Sequence, residues 1–176
     1  MARGVPDSRL DAEVLLGHVL QRDRAWLVAH YPDELDAAAQ PLYEALLVRR
    51  SAREPLQYIT GRREFWGLEF LVTPEVLIPR PETELVVESA CVALTGVAAP
   101  VIIDLCTGSG CIAVSLARER TDATCFAADR SHAALAVARR NAERLGVADH
   151  DLLGPLRGNR VHAQLVVVAL RDLQQR

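Results

Sequence analysis

Asp104 closes the apolar run Val101-Ile102-Ile103, and the small-residue stretch Cys106-Thr107-Gly108-Ser109-Gly110 follows almost at once. A carboxylate beside a glycine turn that opens a helix is chemistry suited to holding a nucleotide cofactor. Glycine has no Cβ and tolerates unusual dihedrals, so a ligand can approach the backbone. The first N–H groups of the new helix have no partner within the helix and point at whatever sits there. A second carboxylate, Asp129, ends the next strand-like run nineteen residues after Gly110. At that place it would accept hydrogen bonds from ribose hydroxyls.

Two cofactor classes compete for this turn. Gly108-x-Gly110-x-x-Ala113 fits the dinucleotide fingerprint with its permitted final Ala, which would make the chain an NAD-dependent oxidoreductase. Asp104 argues against that reading, because a dinucleotide turn needs only apolar strand residues before it. A methyl donor such as S-adenosylmethionine carries an ammonium and a sulfonium, and a carboxylate near the turn suits that charge. A plain tight connection, with Asp104 capping one helix and Asp129-Arg130-Ser131 capping the next, explains each residue singly. It does not explain the three features at these spacings. The four cysteines, Cys91, Cys106, Cys111 and Cys125, show neither a C-x-x-C pair nor a histidine at zinc-ligand spacing. No metal site is therefore expected, and the cysteines read as free cytosolic thiols in apolar surroundings.

The surrounding pattern must place these groups. The 176 residues carry a net charge of −3, and all twenty basic residues are arginine. That balance gives no bulk attraction to nucleic acid or to an acidic membrane. No stretch has the length of a membrane span and the N-terminus lacks an apolar signal core, so a soluble, cytoplasmic protein is expected. Residues 8–54 read as helices, with a capping box at Ser8 and Asp11 and an apolar face of Leu10, Val14, Leu15, Val19 and Leu20. Residues 57–72 read as a hairpin, from Tyr58-Ile59-Thr60 through Phe65-Trp66-Gly67 to Phe70-Leu71-Val72. Pro79 and Pro81 keep Arg80 extended, and Glu82 and Glu84 suit the start of the next helix, which runs to about Thr95. Strand 101–105, helix 110–120, strand 124–129 and helix 131–145 then alternate, which implies an α/β fold with a parallel, doubly wound sheet. The ligand belongs off the carboxyl ends of those strands. The expected domains are a helical one at 1–54, a hairpin linker at 55–76 and the α/β part at 77–176.

Longer segments resemble one family. Leu10-Asp11-Ala12-Glu13-Val14-Leu15-Leu16, Pro55-Leu56-Gln57-Tyr58-Ile59-Thr60-Gly61, Glu64-Phe65-Trp66-Gly67-Leu68, Leu77-Ile78-Pro79-Arg80-Pro81-Glu82-Thr83-Glu84 and Asp104-Leu105-Cys106-Thr107-Gly108-Ser109-Gly110 resemble the peptide-chain release factor glutamine methyltransferases. The Pro-Arg-Pro segment is far more specific than the glycine turn. The resemblance implies a small helical bundle, a hairpin linker and a Rossmann-like, S-adenosylmethionine-dependent methyltransferase domain. It implies methylation at N5 of the Gln in a release factor's Gly-Gly-Gln motif, so the partner is a release factor rather than nucleic acid or membrane. It also implies site roles. Cys106 to Gly110 would wrap the donor's amino-acid end beside the Asp104 carboxylate, Asp129 would hold the ribose, and Asp151-Leu152 would flank the adenine. Arg80 and Glu84 would lie at the pocket rim, although Arg80 could equally brace the linker through an ion pair. Cys106 stands where many relatives have Gly, which is tolerable if its backbone angles are ordinary.

In that family an Asn-Pro-Pro-Tyr loop after the fourth strand holds the acceptor amide. No such tetrapeptide occurs in these 176 residues. Val161–Leu170 reads as the fourth strand, and its valine-rich Leu165–Val168 would offer an edge prone to pairing. The chain thus resembles a truncated first half of an enzyme that is incomplete at its C-terminus. The expectation is weak or absent methyl transfer, or a fragment that binds cofactor or partner only, with no catalytic residue of its own to name.

Overall fold

A computed structural model describes residues 8–148 and the backbone of 165–169. The chain divides into two compact units, Met1–Gly61 and Arg62–Arg176. Among the described residues, no helix is long and apolar enough to cross a membrane.

The first unit is helical: α1 (Ser8–Leu20), α2 (Arg24–Ala29), α3 (Ala39–Ser51) and α4 (Leu56–Thr60). The expected face of α1 supplies the fully buried Leu15. Gly17 is fixed by sterics, because a Cβ there would stand 2.7 Å from the Arg22 carbonyl oxygen. Asp23 caps α2 by accepting from the Trp26 N–H at 2.7 Å. Arg50 on α3 pairs with Asp11 on α1 at 2.7 Å, and both side chains are largely buried. Tyr43 donates its hydroxyl to the Ala12 carbonyl at 3.2 Å.

Tyr58-Ile59-Thr60 corrects the strand expectation, since it forms the body of α4. The local composition is β-like, but the ends decide. Pro55 takes the N-cap at φ −56°, where its missing N–H costs nothing, and Gly61 closes the helix at φ 73°. Thr60 returns its hydroxyl to the Leu56 carbonyl at 3.1 Å.

The second unit opens with the hairpin of β1 (Arg62–Phe65) and β2 (Leu68–Leu71), with Phe65 opposite Leu68 and Arg62 opposite Leu71. Its two turn residues, Trp66 at φ 54° and Gly67 at φ 67°, are both left-handed. That pair of angles matches the twist of the flanking strands. A tryptophan in this conformation needs outside support. Its backbone N–H donates to Glu84 Oε1 at 2.9 Å, and its indole N–H donates to Glu119 Oε1 at 2.8 Å. Phe65 and Phe70 turn inward, edge to face at 6.0 Å.

After the extended Pro-Arg-Pro segment, a 3-10 turn at Pro81–Thr83 leads into α5 (Glu84–Ala93). Then come β3 (Val101–Leu105), α6 (Cys111–Glu119), β4 (Thr124–Ala128), α7 (His132–Arg144) and β5 (Leu165–Ala169). All three later strands are parallel in the order β4-β3-β5, so β3 is central. This is the expected α/β arrangement, with β5 inside the stretch read as a further strand. Every residue of α6 from Cys111 to Ala117 is buried, because the helix packs against α5, α7 and the sheet. The core gathers Val87, Leu94, Ile102, Leu116 and Cys125 around it.

Candidate cofactor site

The site forms where central strand β3 gives way to α6. Strand alternation turns Asp104 into the interior, where it is fully buried. Asp104 Oδ2 accepts from the Thr107 hydroxyl at 2.7 Å and from the Ala113 N–H at 3.3 Å. Asp104 Oδ1 is buried and has no partner among the described residues. Burial dominates its titration and pushes the pKa from 3.8 up to about 6. The Thr107 and Ala113 bonds pull it down, and the charge of Asp129 pushes it up.

The backbone of the turn is pinned at several points. The N–H groups of Cys106 and Thr107 both donate to the Ala128 carbonyl at the end of β4, at 2.8 and 3.1 Å. Gly110 N–H donates to the Thr107 carbonyl at 2.8 Å. Asp129 lies just beyond β4. Its Oδ2 accepts from Gly108 N–H at 3.0 Å and its Oδ1 from Ser131 N–H at 2.9 Å. The N-cap of α7 is Ser131, whose hydroxyl accepts from the Ala134 N–H.

The two glycines do different work. Gly110 has φ 80°, and a Cβ there would lie 3.1 Å from the Ala138 Cβ, so α7 packs directly on the turn. Gly108 has φ 55°, and among the described residues nothing stands within 4 Å of where its Cβ would be. The turn is therefore closed against α7 at Gly110 and open at Gly108. An unpartnered buried carboxylate oxygen, an open glycine and a second carboxylate on the same loop fit a ligand that brings a cation and hydroxyl donors. They fit S-adenosylmethionine in that sense.

Cys106 departs from expectation. It is exposed, with φ 65°, so its backbone angles are not ordinary. Two successive N–H groups converge on one carbonyl here, and the chain must reverse at once after β3. A residue with a Cβ is strained in that conformation. The picture of thiols in apolar surroundings holds for Cys111 and Cys125, whose pKa values burial pushes to about 12. It does not hold for Cys106.

Other expected site residues are distributed differently. Thr107 spends its hydroxyl on Asp104, and Ser109 is buried within the turn. Glu84 gives Oε1 to the hairpin turn through the Trp66 N–H. Arg80 is exposed at the start of the 3-10 turn, where its carbonyl accepts from Thr83 N–H. Asp151 and Leu152 lie outside the described residues. One residue escaped the sequence reading: Asn141 on α7 donates from Nδ2 to the Ser109 carbonyl at 2.9 Å. Its only signal in the sequence is a polar residue on the face that carries Leu135 and Ala138.

Two outcomes follow from this geometry. Cys106→Gly should raise stability to urea by about 1 kcal/mol, because glycine accepts the left-handed conformation without penalty. A loss of stability would contradict the assigned backbone. Asp104 supplies the second. Its folded pKa is raised, so the ionised form weakens the fold above pH 6, and the penalty fades as pH falls through 6 toward 3.8. The rise is worth about 3 kcal/mol. Between pH 7 and pH 4 the wild type should therefore gain most of that, about 2 kcal/mol, over Asp104→Asn in urea unfolding. A difference that stays flat over this range would show that Asp104 is not buried as described.

Residues 1–61 match the PrmC N-terminal domain, and residues 83–159 match the methyltransferase small domain. The release factor glutamine methyltransferase of Burkholderia pseudomallei is 55% identical over 145 residues, 82% of this chain and 51% of the relative. That of Bordetella pertussis is 51% identical over 151 residues, covering 86% and 55%. That of Moorella thermoacetica is 46% identical over 168 residues, covering 92% and 59%. The chain spans about half the length of the curated relatives it matches. Over the part that it spans, the chain carries the PrmC N-terminal and methyltransferase small domains and is similar to the release factor glutamine methyltransferases.

Proposed function

We propose that this chain binds S-adenosylmethionine on the 104–110 turn and serves methylation, at N5, of the Gln in the Gly-Gly-Gln motif of a peptide chain release factor. The observation that carries the reading is the buried Asp104 oxygen without a partner, beside a turn that is open at Gly108. A dinucleotide offers anionic phosphates to such a turn, and a second anion beside Asp104 is unfavourable. Asp104 suits an ammonium, and the N-terminal N–H groups of α6 suit the donor's carboxylate. Asp129 keeps lone pairs for ribose hydroxyls while it holds Gly108 in place. When bound, the donor supplies an electrophilic methyl group on a sulfonium.

The acceptor side makes a separate demand. An amide nitrogen is a weak nucleophile because its lone pair is delocalised into the carbonyl. It must be held in line and hydrogen-bonded so that electron density moves onto nitrogen, which is positioning and electrostatics. The family's Asn-Pro-Pro-Tyr loop, which the resemblance assigns to that task, has no counterpart in these 176 residues. A release factor partner supports a cytoplasmic location.

Calorimetry on the 176-residue chain tests this. S-Adenosylhomocysteine should bind at least about tenfold more tightly than NADH, a difference of about 1.4 kcal/mol. Affinity should fall as pH drops through 6, because protonated Asp104 no longer attracts the ammonium. Equal or tighter binding of NADH would overturn the donor reading. Tritiated methyl transfer to a release factor at the rate of the longer relatives would overturn the expectation of slow transfer.

A further inference from the structure

Asn141 is fully buried on a face of α7 that is otherwise apolar, with Ala134, Leu135, Val137, Ala138 and Ala142 buried around it. A polar side chain in such a place is tolerated only when its groups are paired. Those of Asn141 are. Its Oδ1 accepts from the Leu71 N–H at 2.7 Å, and its Nδ2 donates to the Leu71 carbonyl at 3.0 Å and the Ser109 carbonyl at 2.9 Å. With two carbonyls and one N–H as partners, only one orientation of the amide satisfies all three bonds.

Both ends of this arrangement matter. Leu71 is the last residue of β2, opposite Arg62. Antiparallel pairs alternate between bonded and non-bonded, starting from the bonded pair that flanks a two-residue turn. Counted from Phe65 and Leu68, Leu71 points its N–H and carbonyl away from β1. The Asn141 amide meets both groups as a neighbouring strand would. At the other end, the Ser109–Gly110 peptide is held from both sides. Its carbonyl oxygen takes the Asn141 bond, and its N–H goes to the Thr107 carbonyl. Ala138, three residues before Asn141 on the same helix, presses against Gly110. That leaves the peptide plane in the middle of the turn no freedom to rotate.

We propose that Asn141 is a positioning residue that sets the 104–110 turn and ties its geometry to the hairpin, so that donor affinity depends on a side chain that does not touch the donor. This rests on the reading of that turn as the donor site. The replacement Asn141→Asp keeps the shape but puts an oxygen opposite both carbonyls. Leu94→Ala removes a fully buried core side chain elsewhere in the same unit and serves as the stability control.

The test measures two things in the 176-residue chain, at a temperature where circular dichroism shows each variant folded. The first is the affinity for S-adenosylhomocysteine by calorimetry. The second is amide hydrogen exchange at Gly108 and Gly110 by NMR, without ligand. Asn141→Asp should weaken binding at least tenfold and speed exchange at both glycines at least tenfold, while Leu94→Ala leaves both within twofold. Unchanged exchange and affinity in folded Asn141→Asp would overturn the proposal, as would equal effects from Leu94→Ala. If Asn141→Asp does not fold, Asn141→Ser is measured in its place, and failure of both to fold overturns the proposal in favour of a purely structural role. Fast turn exchange in the variant, together with a wild type that does not bind S-adenosylhomocysteine, would uphold the positioning of the turn and sink the donor reading instead.

Discussion

The second unit is organised around a carboxylate taken out of water. Asp104 sits in the central strand of a parallel sheet, where every neighbour expects an apolar side chain, and its charge is opposed there by desolvation. Two groups compensate one of its oxygens, and both belong to what comes next in the chain: the Thr107 hydroxyl and the Ala113 N–H. The residue therefore dictates its own surroundings. The chain must turn back within three residues to deliver Thr107, and α6 must begin early enough to deliver Ala113. Small residues and left-handed angles between them follow from that requirement.

The turn so formed would be soft if nothing else held it. Ala128 and Asp129 hold it from the end of β4, and α7 holds it through Ala138 and Asn141. The hairpin joins the same network. Glu84 and Glu119 support its tryptophan turn, and Arg144 on α7 reaches Glu69 on β2 at 3.2 Å. The exposed pair contributes little by itself. The buried Asn141 bonds join hairpin, α7 and turn in one hydrogen-bonded network, and a site organised before ligand arrival lowers the cost of binding.

How far the residues announced this depends on the length scale of each signal. β3, β4, α6 and α7 were legible because apolar periodicity repeats over many residues and because Gly and Ser mark their ends. Asp104, Gly108, Gly110 and Asp129 were legible because their spacing is local to one strand-turn-helix unit, and the structure brings all four together. Tyr58-Ile59-Thr60 reads as a strand because a five-residue helix carries too little period to outweigh three β-branched or aromatic residues in a row, and its caps at Pro55 and Gly61 decide the matter. The strain at Cys106 is signalled only by the Gly that the resemblance puts at its position, since a positive φ at a non-glycine residue leaves no trace in composition. Glu84 drew attention as a carboxylate near a pocket, yet its partner is a backbone N–H eighteen residues upstream. Asn141 was overlooked for the same reason. Its partners lie at Leu71 and Ser109, and no local window contains them.

The central claim is that the loop between β3 and α6 is the seat of the methyl donor. A crystal structure of the chain grown with S-adenosylhomocysteine tests it most directly. The account predicts electron density for the amino-acid end of the ligand against residues 104–110, its ammonium facing Asp104 and its ribose hydroxyls on the Asp129 carboxylate. Ligand density elsewhere on the molecule, with the 104–110 turn packed shut by protein side chains, would contradict it.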